Sequence, residues 1–307
     1  MNASPSDRDP RAELLALTAE LRPELHRYCA RLMGSVIDGE DVVQDTMARA
    51  LAALDEIRDM PQLRPWLFRI AHNRALDLLR SRAVRRAEPI ETAIEVADEA
   101  SPDPMETLMR QEAVETAVSR FAELPLMQRS VVILKDVLDE PLKDIAELLD
   151  LTVDAVKAHL ARGRARLAEI NAQAVTLAAA RPVSEAVARY VALFNAQNWD
   201  GLRALLADDV RLHQSTYPLR TGSADVGRFF TIYATFKGVR LQPAWVEGRE
   251  VIAVFEPGAA APSYFMWLEW RDGRISFIRD YRYSRYVVDD AGIALAPRRE
   301  TGGGEPS

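Results

Sequence analysis

The sequence predicts a multi-domain chain, with two all-α units followed by an α+β domain. Three observations carry that expectation. Apolar residues recur at spacings of three and four through residues 11–86 and again through 111–170. Between these stretches, residues 87–110 hold Pro89, Pro102 and Pro104 among many acids, which is the composition of a linker. After Arg181-Pro182 the pattern shifts, first to one long helix and then to short apolar strands.

The totals agree. A chain of 307 residues suits two or three compact units, and 48% hydrophobic residues are enough for real cores. No run of about 18 apolar residues occurs and no signal peptide opens the chain, which points to a cytoplasmic protein with no membrane partner. The single cysteine, Cys29, allows no internal disulfide. No metal-ligating constellation stands out, so no metal and no cofactor are expected.

The net charge of −7 argues against nucleic-acid binding until it is resolved along the chain. Arg64 to Arg86 hold seven arginines and one acid, Asp77. Ala87 to Leu124 hold ten acids against Arg110 and Arg120. A basic helix beside an acidic tether is hidden by the total.

The elements follow in order. Residues 1–10 read as a disordered start. Leu14, Leu17, Leu21 and Leu25 form one apolar stripe, and Val42, Val43, Met47, Ala50, Leu51 and Leu54 form a second. Asp41, Gln44, Asp45 and Arg49 then share an outer surface. Pro61 and Pro65 interrupt the helices, and Pro65 suits the first turn of a helix reaching about Arg82. On that helix Arg69, His72, Asn73 and Arg80 make a polar, cationic face able to hold phosphates. Trp66 has two readings, stacking on a base or packing into the core at a helix start.

The second helical unit opens with Leu124-Pro125. Leu142, Ile145, Ala146 and Leu149 line the inside of one helix. Asp150-Leu151-Thr152 makes a turn, with Thr152 as the N-cap. Val156, Leu160, Gly163 and Leu167 line a second helix, which leaves Lys157, His159, Arg162, Arg164 and Arg166 outward. That is a helix-turn-helix whose second helix enters a major groove. Asp154 and Lys157 would sit near base edges, and the later arginines would grip phosphates.

Residues 171–182 read as a short linker and 183–290 as the α+β domain. Its first helix runs from Ser184, a plausible N-cap, to about Leu206. Val251 to Phe255 is a strand, and Tyr264 to Trp270 pairs with Arg274 to Tyr286 as a hairpin around Asp272-Gly273. The sheet is expected to be antiparallel, and the tail 291–307 disordered. Strict alternation places Ile275, Phe277, Arg279, Tyr281 and Tyr283 on one face and Asp280 on the other.

Family resemblance adds to these readings. Glu40-Asp41-Val42-Val43-Gln44-Asp45-Thr46, followed by Trp66-Leu67-Phe68-Arg69-Ile70-Ala71-His72-Asn73, resembles region 2 of bacterial sigma factors. Leu124-Pro125-Leu126-Met127-Gln128-Arg129-Ser130-Val131 and the helix-turn-helix after it resemble region 4. In this order the two resemble the extracytoplasmic-function group. Val187 to Asn195, Asn198 to Leu202 and Leu205 to Val210 resemble a SnoaL-like cone domain, which some members of that group carry as a regulatory extension.

The resemblance implies two partners, core RNA polymerase and promoter DNA. It assigns Asp41, Gln44, Asp45 and Arg49 to the polymerase clamp. It assigns Trp66, Arg69, His72, Asn73 and Arg80, with the loop Asp55–Arg64, to the −10 element. Thr152, Asp154, Lys157, His159, Arg162 and Arg164 go to the −35 element. The cone domain would act by docking on the helical units or by sensing a small-molecule ligand, in a pocket lined by Trp199, His213, Trp245, Trp267 or Tyr281. No catalytic residue and no enzyme activity are expected, although folds of this kind also isomerise or cyclise small molecules with a pocket carboxylate. Two alternatives stay open: a DNA-binding regulator fused to a sensor domain, and a small-molecule enzyme with a regulatory helical half.

Overall fold

The computed structural model describes residues 10–54, 63–86, 117–172, 182–215 and 217–297. The tether at 87–110, most of the loop Asp55–Arg64, the linker at 173–181 and the chain ends lie outside these residues. The chain divides into two compact units that meet in sequence near residue 176.

The first unit begins with three helices, α1 (Pro10–Met33), α2 (Val36–Leu54) and α3 (Leu63–Arg86). Of the expected stripes, Leu21 and Leu25 on α1 and Val42, Val43, Met47 and Ala50 on α2 are buried and Leu51 is partly buried, while the side chains of Leu14, Leu17 and Leu54 lie outside the described ones. Gly39 marks the closest approach of α1 and α2. A Cβ there would stand 2.5 Å from the backbone of Ala30, so no larger residue fits. The unit continues with α4 (Ala117–Phe121), α5 (Leu126–Val132) with a π-turn at Ile133–Val137, α6 (Leu142–Leu149) and α7 (Val153–Asn171).

The sequence reads as two separate helical units. The two stretches share one core instead, in which Leu67, Phe68 and Ala71 belong to the same apolar cluster as Val131, Ile133 and Ile145. Arg129 fixes the seam. Its guanidinium donates to the Leu32 carbonyl at 2.8 Å, to the Leu124 carbonyl at 2.8 Å, and to the Ala122 carbonyl. Arg64 adds a second tie, reaching Glu24 and Glu140 at 2.5 Å each.

The second unit is a seven-stranded sheet with helices on one face. In chain order it contains α8 (Glu185–Asn195), α9 (Trp199–Arg203), β1 (Leu206–Gln214), β2 (Arg220–Thr221), α10 (Ser223–Thr235), β3 (Arg240–Val246), β4 (Arg249–Phe255), β5 (Tyr264–Arg271), β6 (Arg274–Asp280), α11 (Tyr286–Asp289) and β7 (Ala294–Leu295). The strand order is β2-β1-β6-β5-β4-β3-β7.

Several expectations need correction. Ser184 does cap its helix, accepting from the Val187 amide at 3.3 Å. The helix stops at Asn195, however, because Gln197 turns left-handed at φ 56° and Asn198 caps a new helix. The sheet is mixed, since β1 runs parallel to β6. The hairpin at Asp272-Gly273 is as expected, with φ of 53° and 72° at its two centre residues, the mirror-image turn that suits twisted strands. A bulge at Ser276 shifts the β5–β6 register between Glu269 and Trp270. Ile275 therefore joins the helix-side core with Ile278, and strict alternation fails there. The sheet also extends past residue 290, where Trp245 and Ala244 pair with Ala294 and Leu295.

Candidate nucleic-acid interface

The helix-turn-helix is built by three local devices. Asp150 ends α6 in the left-handed region at φ 55° and ψ 49°. Thr152 Oγ1 accepts from the Ala155 amide at 3.1 Å and starts α7. Gly163 then lets α7 press on α5, where a Cβ would meet Val132 Cγ2 at 2.6 Å. Val156, Leu160 and Gly163 face inward, and Asp154, Lys157, Arg162, Arg164 and Arg166 are exposed. Thr152 is spent on the cap, so its sequence-assigned place among the DNA contacts is secondary to a structural one.

The exposed cations of α7 have different surroundings. Lys157 pairs with Asp154 at 3.1 Å and Arg166 with Glu169 at 3.1 Å. Arg164 donates twice to Asp136, at 3.0 and 2.5 Å. Among the described residues Arg162 forms no ion pair. Surface pairs of this kind are weak and yield to a phosphate. His159 is half-buried, and burial followed by the charge of Arg162 lowers its pKa.

On α3 the sequence-assigned face divides. Arg69, Asn73 and Arg80 are exposed. Arg69 donates to the Glu147 carbonyl of α6 at 3.3 Å, and Arg80 lies 3.8 Å from Asp77. Trp66 is half-buried and packs against the core. His72 is a correction: it is 7% exposed, and its Nδ1 shares a 2.7 Å hydrogen bond with Tyr28 Oη. Burial, then the nearby Arg80, push its pKa down to about 4, so it sits neutral in the core rather than on the cationic face.

On α2, Asp41, Gln44 and Asp45 are half-exposed and Arg49 is exposed, so the four share an accessible surface. Asp45 is held by Arg74 at 2.5 Å, and Gln44 donates to Glu40 at 2.8 Å. Glu40 faces inward and pairs with Arg22 at 3.1 Å.

The residues assigned to a pocket in the second unit do not all share one face of the sheet. His213, Trp267 and Tyr281 lie on the sheet face opposite the main core. His213 meets Arg279 at 2.5 Å, Trp267 packs edge-on to Phe277 at 6.2 Å, and Tyr281 packs on Phe265 at 4.5 Å. Trp199 stacks edge-on to Phe194 at 5.3 Å within the core, and Trp245 sits on β3. The polar cluster is elsewhere. Gln214 Nε2 donates to Asp280 Oδ2 at 2.7 Å, and Tyr233 and Tyr264 share a 2.5 Å hydroxyl contact. Burial raises the Asp280 carboxyl to about 6, against the lowering effects of Gln214 and of the Arg282 amide and charge. Tyr190, Tyr233 and Tyr264 are also raised, by burial first. Sequence alternation set Asp280 apart from Tyr281 but did not join it to Gln214 or the three tyrosines, because nothing local in sequence links β1, α8, α10 and β5.

Fold and site together define a helical unit with a helix-turn-helix, followed by an α+β unit of helices on a mixed sheet. Comparison with known proteins refines that class. Sigma-70 region 2 matches residues 17–85, Sigma-70 region 4 matches 116–167, and the SnoaL-like domain matches 187–278. The RNA polymerase sigma factor CnrH of Cupriavidus metallidurans is 34% identical over 140 residues, covering 43% of this chain and 73% of that protein. The ECF RNA polymerase sigma factor SigM of Mycobacterium tuberculosis is 33% identical over 150 residues, covering 48% and 71%. SigG of the same organism, also an ECF sigma factor, is 32% identical over 229 residues, which is 65% of this chain, and the chain spans 62% of the length of SigG. Among solved structures, the extracytoplasmic function sigma factor SigJ of M. tuberculosis is 22% identical, with 88% of this chain and 98% of that one covered and a TM-score of 0.35. The chain belongs to the ECF RNA polymerase sigma factor family.

Proposed function

We propose that the chain acts in the cytoplasm as a sigma factor, binding core RNA polymerase and directing initiation at a small set of promoters. It does so without enzymatic turnover, and residues 183–290 regulate it. The observation that carries this reading is the exposed cationic face of α7 behind its left-handed turn, in the same unit as the acidic-polar face of α2. The α7 face fits the major groove of the −35 element, with Asp154 and Lys157 toward the bases and Arg162 and Arg164 on phosphates. Arg69, Asn73 and Arg80 of α3 serve the −10 element, and Trp66 there is a packing residue first. Asp41, Gln44, Asp45 and Arg49 dock on a basic polymerase surface, where rim charges set association rate and specificity.

A regulator fused to a sensor would bind duplex operators with no need of polymerase. Footprinting separates the two. The purified chain is incubated with promoter DNA, with and without core polymerase. Protection that requires polymerase and spans both elements supports the sigma reading. Protection by the chain alone, unchanged by polymerase, would sink it.

A further inference from the structure

Two helices meet at the polar face proposed above for core polymerase. Asp45 is on α2, and its partner Arg74 is on α3, outside the sequence-assigned residues. Arg74 Nε donates to Asp45 Oδ2 at 2.6 Å, and Nη2 reaches the same oxygen at 2.5 Å. Asp45 Oδ1 forms no hydrogen bond among the described residues. The carboxylate is thus held from one side and open on the other, with 45% of the Asp45 side chain exposed against 24% for Arg74.

As a tie between helices the pair does little. An ion pair so open to water adds little stability. Asp38 and Arg82 already link α2 and α3 at 2.6 Å, with the Asp38 side chain only 10% exposed. What Arg74 changes is the aim of Asp45. Gln44, the neighbouring residue, is held in the same way. Its Nε2 donates to Glu40 Oε1 at 2.8 Å, and Glu40 is buried and paired with Arg22 at 3.1 Å. A carboxylate only accepts, so the Gln44 amide turns its nitrogen to Glu40 and keeps its oxygen for a partner. Two consecutive residues of one face therefore each have an acceptor oxygen fixed from behind.

We propose that Arg74 is a positioning residue for polymerase docking. It holds the Asp45 carboxylate so that Oδ1 meets a cation of the polymerase already ordered. Ordering a side chain at an interface costs affinity, and a partner that fixes it beforehand removes that cost. The docking face is then built by two helices, with α3 supporting it from behind while the exposed cations of α3 are left for DNA. Arg74 has this role only if Asp45 belongs to the polymerase surface proposed above. Charge alone predicts the opposite sign. Arg74 is a cation beside an acidic face that meets a basic partner, so simple electrostatics would make binding tighter once it is removed.

The test measures the affinity of the full chain for core polymerase, by competition against fluorescently labelled native chain at fixed salt. Arg74→Met and Arg74→Gln carry the same charge and differ in one donor, because the glutamine amide nitrogen falls where Arg74 Nε stands. Arg74→Met is expected to bind about three- to tenfold more weakly than the native chain, and Arg74→Gln within about twofold of it. In an Asp45→Ala background, itself weaker than native, the two should bind alike. Both variants should melt close to the native chain, and Arg74→Ala takes the place of Arg74→Met if that chain does not fold. Equal binding by the two variants, tighter binding by Arg74→Met, or a difference that survives Asp45→Ala each overturns the positioning role and leaves the sigma reading intact. Native affinity in the Asp45→Ala chain removes Asp45 from the docking surface, and this role with it. A native chain that does not bind the core at all overturns both.

Discussion

Replacing Asp280 with asparagine should stabilise the second unit at neutral pH, and by an amount that depends on pH. The carboxyl is buried beside Gln214, with its pKa raised from 3.8 to about 6. A raised folded-state pKa means that folding favours the protonated form. The contribution to stability is then fully present below about 4 and is lost as pH rises through 6. A displacement of that size corresponds to roughly 3 kcal/mol. For a domain of this size that is on the order of 10 °C in melting temperature. Asparagine at this position removes the titration. Gln214 can turn its amide and offer Oε1 to the new side-chain amide, so the packing contact survives. Tryptophan fluorescence is a suitable probe, because Trp199, Trp245, Trp267 and Trp270 all lie in the second unit and only Trp66 in the first. Melts of the full chain from pH 4 to 8 should show the native and Asp280→Asn proteins converging at the acid end, separating as pH rises toward 6 and keeping a constant gap above it, with the variant higher. Parallel curves across that range would refute a buried, raised carboxyl.

Other perturbations reach the first unit. His72 is buried with its pKa lowered to about 4, against an ordinary 6.5. Its stabilising contribution is present above 6.5 and is lost as pH falls toward 4, by up to roughly 3 kcal/mol. Far-UV dichroism, dominated by the helices, should register this loss, and His72→Gln should remove it while keeping an acceptor for Tyr28. Arg164→Ala should leave the fold intact and lower the slope of log affinity against log salt by about 0.9 in promoter titrations with holoenzyme. An unchanged slope would mean that Arg164 stays on Asp136 and touches no phosphate. Asp45→Lys should abolish co-purification with core polymerase while costing the fold about 1 kcal/mol or less, since Asp45 is 45% exposed and loses only its pair with Arg74. Normal co-purification would remove Asp45 from the docking surface.

The helices were legible because their periodicity is strong and their punctuation local. Val42, Val43, Met47 and Ala50 announce α2 by spacing, and Thr152 and Asp150 announce the turn by residue type. Asp272-Gly273 announces a hairpin for the same reason. What the sequence concealed depends on distant partners. Nothing near Arg129 says that its guanidinium will reach the Leu32 carbonyl and bring two helical stretches into one core. Nothing near Ser276 marks the bulge that turns Ile275 inward. Alternation separated Asp280 from Tyr281 correctly, yet it cannot say which face the helices cover. The expected pocket residues His213, Trp267 and Tyr281 therefore fell on the opposite face from the cluster around Asp280. His72 shows the same limit on a helix, where one position between Arg69 and Asn73 turns toward Tyr28.

Run-off transcription from genomic fragments, with core RNA polymerase and the purified chain, bears most directly on the proposed activity. Discrete start sites that appear only when the chain is added, and that weaken with Arg162→Ala, are expected. A chain that neither joins the polymerase nor yields any start site would contradict it.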